Sequence, residues 1–182
     1  MTAEAAPHHF ILTDEAVLTY GTLAKMNPPL RTEADRQAVI EGLKDGTIDM
    51  IATDHAPHSA EEKAKGLRGS AMGVVGIETA FPLLYTYLVE TGKMPLEMLI
   101  DRMADAPRRR FRIDGGMQVG DKAAVTVFDL HAQEKIDPNT FLSKGDATPF
   151  EGWKVHAACR LTICGDKIAY LSLIHISEPT RH

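Results

Sequence analysis

The sequence predicts an α/β protein that ends in a small β module, and three observations carry this. A capped helical pattern ends at Gly46, and the continuous apolar run Met50-Ile51-Ala52 follows it closely, as in a strand of a parallel sheet buried on both faces. Two more helical stretches follow before Pro107. Beyond Gly116 the chain turns to strands, with glycine-rich punctuation at Gly115-Gly116 and Gly120-Asp121.

In order along the chain, His8-His9-Phe10-Ile11-Leu12 reads as a short strand. Lys25-Met26-Asn27-Pro28-Pro29-Leu30-Arg31 is a loop, because two prolines do not fit inside a regular helix. Thr32 is an N-cap with Asp35 three residues on, where a capping box usually has Glu or Gln. Val39, Ile40 and Leu43 share one face of this helix, and Gly46 suits a left-handed cap. A strand is expected over 48–54 and a loop over 53–76, with one helical turn at Glu61-Glu62-Lys63-Ala64-Lys65.

A helix over 77–89 would be kinked by Pro82. The next starts at Pro95, buries Leu96, Leu99, Ile100 and Met103, and stops before Pro107. In the β module, residues 123–129 form a strand. Val155, Ala157, Cys159, Leu161 and Ile163 alternate with His156, Arg160 and Thr162 in a second, half-buried one. Gly165-Asp166 makes a two-residue hairpin turn into a strand over 167–170, and Trp153 packs this module. The division is 1–115, 116–170, and a tail over 171–182 expected to be disordered and non-native. That tail resembles the translation of a transposase sequencing adapter.

The 182 residues carry a net charge of -5, which argues against a nucleic-acid surface. The basic run Arg108-Arg109-Arg110 reads as a solvated helix end. Two cysteines, Cys159 and Cys164, make a disulfide framework unexpected. No signal peptide and no apolar stretch near the length of a membrane helix is visible, so a cytoplasmic protein with no membrane partner is expected.

Chemistry concentrates in Thr53-Asp54-His55-Ala56-Pro57-His58. Asp54 closes a buried strand, where barrel enzymes gather catalytic groups. Its carboxylate can bind a divalent metal or accept a proton, and His55 and His58 can bind metal or an anionic substrate. Asn27, in its rigid Asn-Pro-Pro loop, could present an amide, though from the residues alone ordinary turn chemistry is the preferred reading. His8 and His9, on opposite faces of a strand, read as structural histidines with satisfied hydrogen bonds. Gly66, Gly69, Gly73 and Gly76 match no phosphate-loop spacing.

Asn27-Pro28-Pro29-Leu30-Arg31, Gly46-Thr47-Ile48-Asp49 and Ile51-Ala52-Thr53-Asp54-His55-Ala56-Pro57-His58 resemble the bacterial, zinc-dependent dihydroorotases of the amidohydrolase superfamily. So do Gly73-Val74-Val75-Gly76-Ile77-Glu78-Thr79, Thr148-Pro149-Phe150-Glu151-Gly152 and Pro7-His8-His9. The resemblance implies the C-terminal part of a (β/α)8 barrel, beginning at its strand seven, followed by a small β domain. It implies interconversion of dihydroorotate and N-carbamoyl-aspartate in pyrimidine synthesis, by attack of a zinc-bound hydroxide on the ring amide carbonyl. On it, Asp54 is a metal ligand and the general base, Asn27 and His58 hold the substrate carboxylate, and Gly73 lies by the ring through its backbone. A homodimer or a transcarbamoylase partner would fit the family.

The sequence departs from the family in lacking its His-x-His-x-Arg motif, the bridging residue after strand four, the ligand histidines after strands five and six, and the substrate-binding arginine. Of the metal shell Asp54 remains, where a catalytic zinc takes about three protein ligands. The chain is therefore expected to be inactive by itself. Two rival readings are a non-catalytic dihydroorotase-like scaffold subunit and a related allantoinase or dihydropyrimidinase.

Overall fold

The computed structural model describes residues 1–115 and 117–172. Gly116 and residues 173–182, on which the expected boundary and most of the expected tail fall, lie outside the described residues.

The α/β core is a parallel pair with helices around it. Strand β1 (Glu4–Ala5) runs parallel to β2 (Met50–Ile51), with Glu4 opposite Met50 and Ala5 opposite Ile51. Successive strand residues point to opposite faces. Met50 and Ile51 are both buried, so both faces of β2 are covered, as the apolar run predicted. The regular pairing is shorter than the 48–54 expected.

Between these strands come α1 (Pro7–Ile11), α2 (Ala16–Tyr20) and α3 (Glu33–Asp45). The expected strand over 8–12 is therefore a helix. A short apolar run does not distinguish the two periods, and the informative residue is Pro7, whose fixed φ and missing N–H suit a first helical turn. Helix α3 follows the sequence closely. Thr32 accepts from the Asp35 amide, the Asp35 carboxylate accepts from the Thr32 amide, and Gly46 closes the helix in the left-handed region.

After β2 come two short helices, α4 (Ala60–Lys63) and α5 (Gly66–Gly69), then α6 (Ala80–Leu84), which continues as a wider turn over Tyr85–Val89. Pro82 lies in the first turn of α6, where an N–H would have no helical partner anyway. Helix α7 (Leu96–Ile100) continues through another wide turn, Asp101–Asp105, into α8 (Ala106–Phe111). The helix thus passes Pro107 instead of stopping before it. The Ala106 amide bonds five residues back to Asp101, and Pro107 again sits in a first turn. Leu99 is buried as expected, but Ile100 faces out.

Phe10, Ile40, Leu43, Ile51, Leu84, Leu88, Met94 and Leu99 form one apolar core among α1, α3, β2, α6 and α7. A second core joins Leu12, Met26, Leu30 and Leu83 to Ile136, Phe150 and Val155. The last residues belong to or flank an antiparallel sheet of β3 (Ala124–Lys135), β4 (Lys154–Cys164) and β5 (Lys167–Leu171). Gly165-Asp166 makes the expected hairpin between Cys164 and Lys167, and Leu171 extends β5 one residue beyond Tyr170. Trp153 does more than pack the sheet. Its Nε1 donates to the Tyr20 hydroxyl at 3.1 Å and its ring stacks edge-on against Tyr87 and Phe150, tying the sheet to the helical part.

Candidate active site

The loops after β2 fold into a polar platform. Asp54 lies three residues past the end of β2, with φ 48. That is the left-handed region, which Asp tolerates better than most residues because its short polar side chain can bond locally. Its side chain is exposed, and among the described residues its carboxylate makes no hydrogen bond or ion pair. The next residue, His55, pairs with Val74 as an isolated parallel bridge, so the Gly73 loop lies beside the end of β2.

His55 is a structural residue. Its Nδ1 accepts from the amides of Gly76 and Ile77 at 3.1 and 3.3 Å. The Ser143 hydroxyl donates to Glu78 at 2.6 Å, so its contact with His55 Nε2 at 3.4 Å must be received from an Nε2–H. With both nitrogens used, His55 has none free for a metal or a substrate in this structure, unlike the role its position suggested.

His58 meets Gly73. Its Nε2 lies 3.1 Å from the Met72 carbonyl and its Nδ1 3.4 Å from Glu62, which is itself held by the Ser59 amide in the capping box of α4. The Ser59 amide, then burial opposing it, and His58 set the Glu62 carboxyl below its ordinary range. Gly73 has φ +141, and a Cβ there would overlap the Ala56 side chain and come 3.2 Å from the His58 ring. Only glycine permits this approach. The Gly73 amide donates to the Lys25 carbonyl at 3.1 Å, two residues before Asn27. Asn27 is exposed, and among the described residues its amide makes no hydrogen bond. The Gly73 loop thus meets His58 on one side and the backbone two residues before Asn27 on the other, and the His55–Val74 bridge holds it next to the segment that carries Asp54.

Three contributors were not foreseen from sequence. Lys63 was read as part of a charged turn, yet it is 2% exposed and its Nζ bonds three carbonyls. Burial, then the neighbouring Lys25 charge, lower its pKa to about 8. The Ser59–Glu62 spacing did announce a helix start, but nothing in the sequence marks Lys63 as buried. Gly145 is the second: a Cβ there would come within 2.5 Å of the His58 amide nitrogen. The Ala147 amide donates to the His58 carbonyl and its carbonyl accepts from Val75, so this segment bridges the two arms of the loop. Glu78, with the Leu142 and Ser143 amides on its carboxylate, is the third.

His8 and His9 lie apart from this group, as expected, but not as a satisfied pair on opposite faces. His9 Nε2 lies 3.0 Å from the Pro28 carbonyl, whereas the buried His8 Nε2 has no partner among the described residues. A surface cavity of about 570 Å³, lined by Tyr20, Lys135, Ile136, Thr148 and Glu151, contains none of Asp54, Asn27, His58 or Gly73.

The chain is similar to dihydroorotases along 93% of its length. The dihydroorotase of Anoxybacillus flavithermus is 54% identical over 171 residues, and that of Bacillus cereus strain AH820 is 52% identical over 171. The chain spans 40% of the length of each. No family model matches it. Among solved structures, the L-hydantoinase (dihydropyrimidinase) of Arthrobacter aurescens superposes with a TM-score of 0.86 at 30% identity, covering 93% of this chain and 39% of that one. The D-hydantoinase (dihydropyrimidinase) of a Thermus species gives 0.80 at 25%, with the same coverage. The mixed α/β fold is thus similar to part of a hydantoinase chain. The higher identity to dihydroorotases places the chain nearer them than the hydantoinases.

Proposed function

We propose that this chain supplies the last strands and helices of a dihydroorotase barrel (residues 1–115) and its small β domain (116–170). On this reading the assembled cytoplasmic enzyme interconverts dihydroorotate and N-carbamoyl-L-aspartate in pyrimidine biosynthesis, with zinc as its metal. The observation that carries the reading is Asp54. An exposed carboxylate without a partner among the described residues stands in the loop three residues after a buried parallel strand, in a sequence 54% identical to a dihydroorotase.

The described residues do not amount to a zinc site. They contain no group of three His, Cys, Asp or Glu side chains placed to hold a metal, and both His55 nitrogens are occupied. Asp54 is one oxygen donor, to be completed by other ligands of the assembled enzyme. What this chain's residues do follows from their surroundings. The Asp54 carboxylate has free lone pairs to accept a proton and return it to a leaving nitrogen. Asn27 offers an unbonded amide, and because the Gly73 amide is already used by the Lys25 carbonyl, a backbone contact of Gly73 to the substrate ring would go through its carbonyl. Asn27 suits a carboxylate-bearing substrate, and His58 would join it by exchanging its Met72 carbonyl or Glu62 contact for the substrate.

The test grafts residues 1–170 behind the N-terminal part of the Anoxybacillus flavithermus enzyme and measures bound zinc and dihydroorotate hydrolysis. The graft should bind zinc and turn over, the chain alone should do neither, and Asp54→Ala should cost the graft about a thousandfold in kcat. Full activity with Asp54→Ala, or turnover by the chain alone, would overturn the assignment. An inactive graft that captures a transcarbamoylase would instead support the scaffold reading, which the retained Asp54 and His58 disfavour. Hydrolysis of hydantoins or allantoin in preference to dihydroorotate would select the related amidohydrolases.

A further inference from the structure

One buried ammonium joins every segment that carries a candidate substrate contact. Lys63 ends α4, and its Nζ donates to the carbonyls of Thr22 at 3.2 Å, Lys25 at 2.9 Å and Ala71 at 3.1 Å. An ammonium has three N–H donors, and all are matched. No carboxylate pairs with it among the described residues, so charge-assisted bonds to backbone oxygens offset its burial.

What those oxygens belong to gives the arrangement its meaning. The Lys25 carbonyl, two residues before Asn27, also receives the Gly73 amide. The Ala71 carbonyl immediately precedes Met72, whose own carbonyl contacts His58, and then Gly73. Helix α4 itself starts at Ser59, next to His58. Lys63 therefore spans from the His58 side of the platform to the Asn27 loop and the Gly73 loop at once. Lys25 does not duplicate it, since the Lys25 Nζ bonds the Ser70 and Arg68 carbonyls, both at the C-terminal end of α5.

We propose that Lys63 is a positioning residue that fixes the Asn27 and Gly73 loops against His58, and so sets substrate affinity without touching substrate. The loop-tying part stands on the geometry alone, and the affinity part rests on the dihydroorotase reading.

Three bonded amides report on the tie: Lys25 to Thr22, Ala71 to Glu62, and Gly73 to Lys25. In Lys63→Met, which keeps the apolar stem and removes the donors, hydrogen exchange at these three should accelerate about tenfold or more. Amides within α3 should keep their rates. Unchanged exchange at the three, or equal acceleration throughout the chain, would overturn the proposal. Should the variant not fold, the ¹⁵N-labelled unmodified chain decides. Protected Lys63 Nζ protons coupled across hydrogen bonds to the Thr22, Lys25 and Ala71 carbonyls support the tie, and a freely exchanging ammonium refutes it.

In the graft with the Anoxybacillus flavithermus N-terminal part, Lys63→Met should raise KM about tenfold or more with kcat changed less than about threefold. An equal loss in kcat would refute the affinity role. A graft that is inactive before mutation would count against the dihydroorotase reading and leave the exchange result to decide the tie.

Discussion

Helix α3 with β2, and the loop platform that follows them, are adjacent in sequence but held by different physics. The first is apolar packing with standard punctuation: Ile40, Leu43 and Ile51 are buried among Phe10, Leu84 and Leu99, between a Thr32–Asp35 capping box and the Gly46 cap. The second buries few large apolar side chains. Its shape comes from a lysine on three carbonyls, a histidine on two amides, and glycines pressed against neighbouring backbone. Packing is tolerant of detail and is stabilised by area, whereas the platform depends on individual atoms. A site that must hold Asn27, His58 and Gly73 in register is built in the second way.

The contrast is broken most strongly in the packed half. Leu43→Ala empties a fully buried position and should lower global stability by about 2–5 kcal/mol in urea unfolding. A loss below about 1 kcal/mol would mean that Leu43 is not central to the core. The matching change in the platform is Gly145→Ala. It forces the 143–147 segment off the His58 backbone and should cost about 1–3 kcal/mol. The diagnostic feature is where the loss appears. Exchange should speed up at the Ala147 and Val75 amides and not in α3. Uniform acceleration would show that the platform is no more local than the core.

The same contrast explains what was legible in the sequence. The α3–β2 unit, the hairpin at Gly165-Asp166 and the string ending in His58 were readable, because caps, periodicity and turn residues act over a few positions. Asp54 and His58 stood out in that string, Asn27 and Gly73 only through resemblance, and the structure sets Gly73 against the His58 ring. Lys63 and Gly145 were not readable, since two of the three Lys63 partners lie 38 and 41 positions away, at Lys25 and Thr22, and the Gly145 neighbour His58 lies 87 away, and no local pattern encodes a carbonyl or a backbone arriving from that distance. The helix at α1 was missed for a different reason, that five residues are too few to show a period.

His8 sharpens the comparison from within the packed half, where it is the polar exception. Its ring is 2% exposed, its Nε2 has no partner among the described residues, and the His9 ring centroid lies 4.3 Å away. Burial first, and then the His9 charge, lower its pKa from 6.5 to about 3. The folded chain therefore refuses a proton that the unfolded chain accepts. Stability from this group is present above pH 6.5 and is lost progressively as pH falls toward 3. Between pH 6.5 and 5.5 the loss should be about 1 kcal/mol, the smallest of these effects. In His8→Leu that share of the acid sensitivity should vanish, so the urea midpoints of the two chains should converge as pH is lowered from any initial advantage of the parent. Parallel acid profiles would mean that His8 gains a proton partner on folding, and that the packed half holds its polar group as the platform does, by a specific bond.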